Sequence, residues 1–189
     1  MKKVAVFLAN GFEEGEALFT IDILRRAGLA CDSVSIGEEF VTSSRKITVK
    51  ADKVLGEKNL AEYDMIVLPG GQPGSTNLSK DERVLKIVRN FIDDEKKFVA
   101  AICAAPMVLK AAGVSKGRTL TSFPTDELKS LFTDANYIDD QLVVQDGNLI
   151  TSRSAATAMT WAYKLIDVLG GDSEPVKKAM LYDRLLAGK

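Results

Sequence analysis

Short apolar runs rich in valine and isoleucine alternate along the chain with longer segments whose apolar positions recur at helical spacing. This is the pattern of a parallel sheet covered by helices on both faces. Val4–Leu8 is a buried-strand run, and Glu16–Arg26 follows with Leu18, Ile21, Ile23 and Leu24 on one helical face, stopped by Gly28. Strands are predicted at Cys31–Ile36, Ile47–Val49 and Tyr63–Leu68, the last running into Pro69-Gly70-Gly71, and a helix at Glu82–Asp94 comes next. Phe98–Ile102 is an almost continuous apolar strand, and Cys103-Ala104-Ala105-Pro106 leads directly into helical Met107–Ala112. Beyond it come a strand at Arg118–Thr121, a short helix at Thr125–Leu131 and a hairpin over Leu142–Thr151 that turns on Asp146-Gly147. Two helices, Ala155–Leu169 and Pro175–Leu186, close the chain. The predicted fold is α/β: a three-layer, doubly wound sandwich with a mostly parallel sheet. In such sheets ligands bind at the carboxyl ends of the strands, so the loops after Leu8, Leu68 and Ile102 are the expected site builders.

Composition narrows the chemistry. A length of 189 residues, 46% of them hydrophobic, suffices for one domain (residues 1–189) with a core that needs no disulfide or metal staple. With 25 basic against 26 acidic side chains, the net charge of -1 gives no reason to expect nucleic acid or an anionic membrane surface as partner. The chain has no histidine, so serine–histidine or cysteine–histidine machinery and imidazole zinc sites cannot be built within it. The two cysteines, Cys31 and Cys103, make no thiolate cage, and no metal is expected. The basic N-terminal start is followed by a short apolar run and then Glu13, Glu14 and Glu16, which reads as a first strand and not a signal peptide. No run approaches the ~20 apolar residues of a membrane span, so a cytoplasmic location with reduced thiols is expected.

Cys103 lies where an apolar strand turns into a helix, with small neighbours, the pattern of a nucleophile elbow. A thiol at a helix N-terminus is expected to have a lowered pKa; a buried structural cysteine is the alternative. Cys31, inside a predicted strand, reads as core, and no Cys31–Cys103 disulfide is expected. Of the three acidic residues opening the first helix, Glu13 and Glu14 read as capping and dipole stabilisation. Glu16 follows a glycine at the edge of the same crevice, where it either serves the helix start as its neighbours do or, with a raised pKa, hydrogen-bonds the Cys103 sulfur as a protonated carboxyl. Pro69-Gly70-Gly71-Gln72-Pro73-Gly74-Ser75 lacks the phosphate-loop lysine and does not fit the dinucleotide fingerprint, so no nucleotide or other cofactor is expected. Its paired glycines suit either an oxyanion hole shared with the amide of Ala104 or an ordinary tight turn.

The ordered motifs Gly-Phe-Glu-Glu-Gly-Glu, Arg25-Arg26-Ala27-Gly28, Val67-Leu68-Pro69-Gly70-Gly71, Ala101-Ile102-Cys103-Ala104-Ala105-Pro106 and Leu149-Ile150-Thr151-Ser152-Arg153 closely resemble the ThiJ/PfpI superfamily, within the class I glutamine amidotransferase-like proteins. They come nearest to its branch of parkinsonism-associated protein deglycases and their bacterial relatives. The resemblance implies a flavodoxin-like sandwich, a homodimer, a reactive Cys103, a partner Glu16, oxyanion donors at the backbones of Gly71 and Ala104, and an interface- and pocket-lining Arg45. It also implies glyoxalase or deglycase chemistry on a small reactive carbonyl, an α-oxoaldehyde or its thiol or amine adduct. The alternative it leaves is a non-enzymatic redox-sensing stress protein or chaperone acting through oxidation of Cys103. The family's older label of thiazole biosynthesis finds no support in these residues. The chain departs from many relatives at Thr121-Ser122-Phe123-Pro124, where phenylalanine stands in place of a histidine. Peptidase activity is therefore not expected, and the ring of Phe123 is expected to close one wall of the pocket.

Overall fold

A computed structural model describes residues 1–56 and 60–188. The first half runs β1 (Lys3–Leu8), α1 (Glu14–Arg26), β2 (Ala30–Ser35), β3 (Phe40–Thr42), β4 (Thr48–Lys50), β5 (Lys53–Val54), β6 (Met65–Leu68), α2 (Gly74–Lys80) and α3 (Glu82–Asp93). The second half runs β7 (Phe98–Ile102), α4 (Pro106–Ala111), β8 (Thr119–Leu120), α5 (Asp126–Ser130), β9 (Asn136–Tyr137), β10 (Val143–Asp146), β11 (Leu149–Ser152), α6 (Ala158–Val168), α7 (Glu174–Ala179) and α8 (Tyr182–Leu186). Seven strands form one sheet in the order β10-β11-β7-β6-β1-β2-β5, parallel except for the β10–β11 hairpin at its edge. This is the α/β flavodoxin-like fold expected.

The unbroken apolar runs follow from burial on both faces. Val4, Val6 and Leu8 of β1 point into a core closed by α1 and α6, with Ile21, Leu24, Trp161 and Leu165. Ala5 and Phe7 point into the opposite core, closed by α2, α3 and α4, with Leu78, Val84, Val88 and Leu109. Each such aliphatic side chain contributes on the order of 2 kcal/mol by leaving water, so the two layers fix the strand register. Asp81 starts α3 by accepting hydrogen bonds from the N–H groups of Arg83 and Val84.

Several elements differ from the sequence pattern. The strand expected at Ile47–Val49 is one arm of a small antiparallel hairpin, with Phe40–Thr42 as the other, outside the main sheet. Gly74–Lys80 is helical although its glycine, serine and asparagine content reads as loop. The strand after α4 pairs in parallel with β9 in a separate two-stranded ladder. Leu18, expected on the buried face of α1, is 38% exposed. The single helix expected over Pro175–Leu186 is broken at Leu181, whose φ of 55° is left-handed. Tertiary packing explains the break: the Tyr182 ring lies 4.8 Å from that of Tyr163 and its hydroxyl pairs with Thr160, both on α6, so the chain turns there to dock. Among the described residues no helix is long and apolar enough to cross a membrane.

Candidate active site

The sheet order changes direction at β1, with β2 on one side and β6 on the other, so the loops after β1, β6 and β7 converge at the carboxyl edge. The first two interlock through backbone hydrogen bonds: the Glu13 N–H donates to the Gly70 carbonyl at 2.9 Å, and the Gly74 N–H to the Gly11 carbonyl at 3.2 Å. Gly71 has a φ of +88°, and a Cβ there would lie 2.4 Å from the Glu13 nitrogen, so only glycine permits this approach.

Cys103 directly follows β7, with a φ of 63°. A left-handed conformation at a non-glycine residue costs roughly 1–3 kcal/mol and persists where its surroundings enforce it. Here the Cys103 N–H donates to the Ser152 carbonyl at 3.0 Å and its own carbonyl accepts the Phe123 N–H at 2.8 Å. Ala104 and Ala105 follow Cys103, both buried. The backbone N–H groups of Ala104 and Gly71 lie near the sulfur and favour its thiolate form.

Glu16, on the first turn of α1, is completely buried and points at the same spot. Its Oε2 accepts the Gly70 N–H at 2.6 Å, Oε1 has no hydrogen-bond partner, and the carboxyl lies close enough to the Cys103 thiol for each to shift the other's ionisation. Burial pushes Glu16 from its ordinary 4.5 up to about 7; the hydrogen bonds from Cys103 and Gly70 oppose the rise and the charge of Glu13 adds to it. The lowered thiol pKa expected for Cys103 is not found. Burial first, and then the Glu16 charge and hydrogen bond, raise it, and the Ala104 and Gly71 amides do not outweigh them. The pair therefore loses its first proton near neutrality from the carboxyl, which leaves Glu16 placed to accept the thiol's proton.

Gly70 is the hinge of this geometry. A Cβ there would lie 2.6 Å from Glu16 Oε2 and 2.7 Å from Cys103 Cβ. Gly70→Ala is expected to lower stability by about 1–3 kcal/mol through overpacking and to displace the carboxyl from the thiol. Thermal unfolding and the pH dependence of Cys103 alkylation measure the two effects, and an alanine variant matching wild type in both would contradict this packing.

Cys103, Glu16, Gly71 and Ala104 all line one cavity of about 870 Å³. Arg45 is exposed and lines it as well, and Phe123, 39% exposed, forms part of its wall as expected. Glu13 does not cap α1: its carboxylate accepts the Ser44 hydroxyl at 3.0 Å and faces the cavity, and Glu14 reaches the same hydroxyl at 3.4 Å. Ser44, Gln72, Met107, Leu128 and Leu131 also line the cavity and had no sequence signal beyond their nearness to Arg45, the glycine loop or Cys103. Cys31 is buried in β2, its thiol pushed up to about 12 by burial, and both cysteines are free.

A flavodoxin-like sandwich that presents a cysteine on a left-handed strand-to-helix turn, beside a buried glutamate from the first helix, defines a class of α/β proteins with a nucleophile elbow. The chain belongs to the DJ-1/PfpI family, whose profile matches residues 2–168. It is 38% identical over 183 residues to protein dj-1beta of Drosophila melanogaster, covering 95% of this chain and 97% of that one. The crystal structure of Drosophila DJ-1beta superposes with a TM-score of 0.90. A DJ-1 superfamily protein of Salmonella typhimurium, crystallised as its C103A mutant, is 38% identical with a TM-score of 0.87, over 97% of this chain and 98% of that one. A deglycase of Pyrococcus horikoshii is 30% identical over 88% of this chain and 99% of its own length.

Proposed function

We propose that this protein is a cofactor-independent, cysteine-dependent glyoxalase or deglycase acting on α-oxoaldehydes or their thiol or amine adducts. The observation that carries this reading is the pairing of Cys103 with a buried Glu16 that titrates at about 7, inside a cavity large enough for a substrate. Glu16 carboxylate takes the thiol proton as the sulfur bonds to the aldehyde carbon, C1, and the resulting oxyanion lies against the N–H groups of Gly71 and Ala104. Protonated Glu16 returns its proton to that oxygen, giving a hemithioacetal. The carboxylate then removes the C1 hydrogen as a proton and delivers it to C2 through an enediol. C1 is oxidised to a thioester carbonyl as C2 is reduced to a carbinol, so no external redox partner enters. Water cleaves the thioester C–S bond, releasing lactate from methylglyoxal or glycolate from glyoxal, and the thiol regains its proton. Relatives named for DJ-1 and for deglycase activity support the same reading.

The redox-sensing reading rests on the same sulfur, since two amide donors and a carboxyl would also hold a cysteine sulfinate. Incubation with methylglyoxal separates the two. Lactate is expected to accumulate through many equivalents per protein, with no cleavage of peptide substrates, because the chain has no imidazole base. Thiol loss limited to one equivalent, without lactate, would sink the enzymatic reading. We place the working unit in a cytoplasmic homodimer.

A further inference from the structure

The cavity is larger than the proposed chemistry requires. At about 870 Å³ it falls in the range that encloses a drug-sized ligand, so a two- or three-carbon oxoaldehyde bonded to Cys103 would leave most of it to water. Its walls differ in kind. Glu13, Ser44 and Arg45 contribute one polar stretch; Met107, Phe123, Leu128 and Leu131 contribute most of the apolar surface, with Gln72, Thr125 and Glu127 as its polar neighbours.

The apolar wall is held in place from several sides. Phe123 is tied to the nucleophile itself, since its N–H donates to the Cys103 carbonyl, and its own carbonyl accepts the Thr125 N–H at 2.9 Å. Thr125 in turn caps α5, accepting the Leu128 N–H on its hydroxyl. The next residue, Lys129, pairs with Asp139 at 2.5 Å, and Asp139 pairs with Arg153 at 2.7 Å. Arg153 directly follows β11, the strand beside β7, so α5 is clamped to the sheet edge that also carries the elbow. Met107 and Leu131 pack back onto the core formed by α3 and α4. Phe123 thus stays 39% exposed at the cavity, adjoining Cys103 through the main chain.

We infer that this wall is a subsite for an apolar substituent on C2 of the substrate, and that the favoured class is aryl- or branched-alkyl-substituted 2-oxoaldehydes and their adducts, ahead of glyoxal. The inference rests on the reaction proposed above at Cys103. A ring on C2, one bond from the carbon that the sulfur attacks, leaves water for Phe123, Leu128, Met107 and Leu131. An anionic C2 substituent would lose its hydration there and meet no cation, since the charged residue beside Leu128 in the lining is Glu127.

Two measurements test the subsite separately from the reaction. In the first, Cys103 is alkylated with phenacyl bromide and with iodoacetamide; in each case sulfur displaces halide, and no turnover is needed. The ratio of the two rates is expected to exceed that of N-acetylcysteine by about tenfold, the discrimination that a hydrophobic pocket gives a modest apolar group. Leu128→Asn should return the ratio toward the free-thiol value, and Leu128→Met, which keeps the apolar volume, should preserve it. A wild-type ratio equal to that of the free thiol, or one that Leu128→Asn does not move, would overturn the subsite. In the second, kcat/KM is compared for phenylglyoxal and methylglyoxal. Phenylglyoxal is expected to be favoured by about tenfold, with Leu128→Asn erasing the preference through KM. If neither aldehyde turns over while the alkylation ratio behaves as expected, the proposed reaction falls and the subsite stands. Methylglyoxal turnover with both ratios flat gives the converse.

Discussion

Cys103→Ala is expected to abolish oxoaldehyde turnover, by about 10³-fold or more, because no other group can form the covalent intermediate. The fold should survive, since alanine occupies the same φ of 63° with the same strain and loses only the sulfur. Cys31→Ala is the matched control: Cys31 is 5% exposed in β2, outside the residues lining the cavity, so its loss costs stability through a small void and leaves the chemistry in place. Limiting iodoacetamide followed by peptide mapping should label Cys103 first, because its sulfur opens into the cavity beside a carboxylate base, and Cys31 has neither access nor base. Turnover persisting in Cys103→Ala, or preferential labelling of Cys31 in the folded protein, would remove Cys103 from the mechanism.

The elbow was readable from local pattern. An apolar run ends at Cys103, and two alanines and a proline follow, so strand, turn and helix all announce themselves within ten residues or so. Glu16 was readable only in part. Its place at a helix start is local, but its contact with Gly70 and Cys103 joins segments far apart in sequence; the crevice position offers that contact as one of two readings, and the resemblance to a family selects it. The direction of the Cys103 pKa is not legible from local pattern. A helix start is visible in sequence and lowers a thiol pKa, whereas the burial that raises it arises from packing of α1 and the glycine loop against the elbow. Glu13 reads as a cap because acidic residues at a helix start usually do that work; the Ser44 hydroxyl it holds instead arrives from the loop after β3. The break at Leu181 and the apolar wall share this origin, since periodicity reports that a residue is apolar and not which surface it meets.

Glu16→Gln is the second substitution expected to have a large effect, and pH separates its catalytic and structural parts. In wild type, turnover should rise as Glu16 ionises, with a midpoint near its pKa of about 7. Glutamine keeps the shape but accepts no proton, so the rate should fall by about 10²–10⁴, the contribution of a positioned general base, and the limb near pH 7 should vanish. Stability should move the other way. Glu16 holds its proton more tightly folded, at about 7, than at its ordinary 4.5. Its protonated form therefore supports the fold fully below the lower value, and that support is lost as pH rises through the upper one. Between pH 5 and pH 8 wild type should lose stability from this source, on the order of a few kcal/mol at ~1.4 kcal/mol per pKa unit. Glu16→Gln has nothing to ionise at this position and should lack the slope, becoming more stable relative to wild type as pH increases. Urea unfolding at several pH values, run beside steady-state kinetics, reads both effects. A variant with wild-type rates would return Glu16 to a role in helix structure alone. A variant that is slow but keeps the wild-type pH slope of stability would show that another group titrates near 7 and that the carboxyl is not the base.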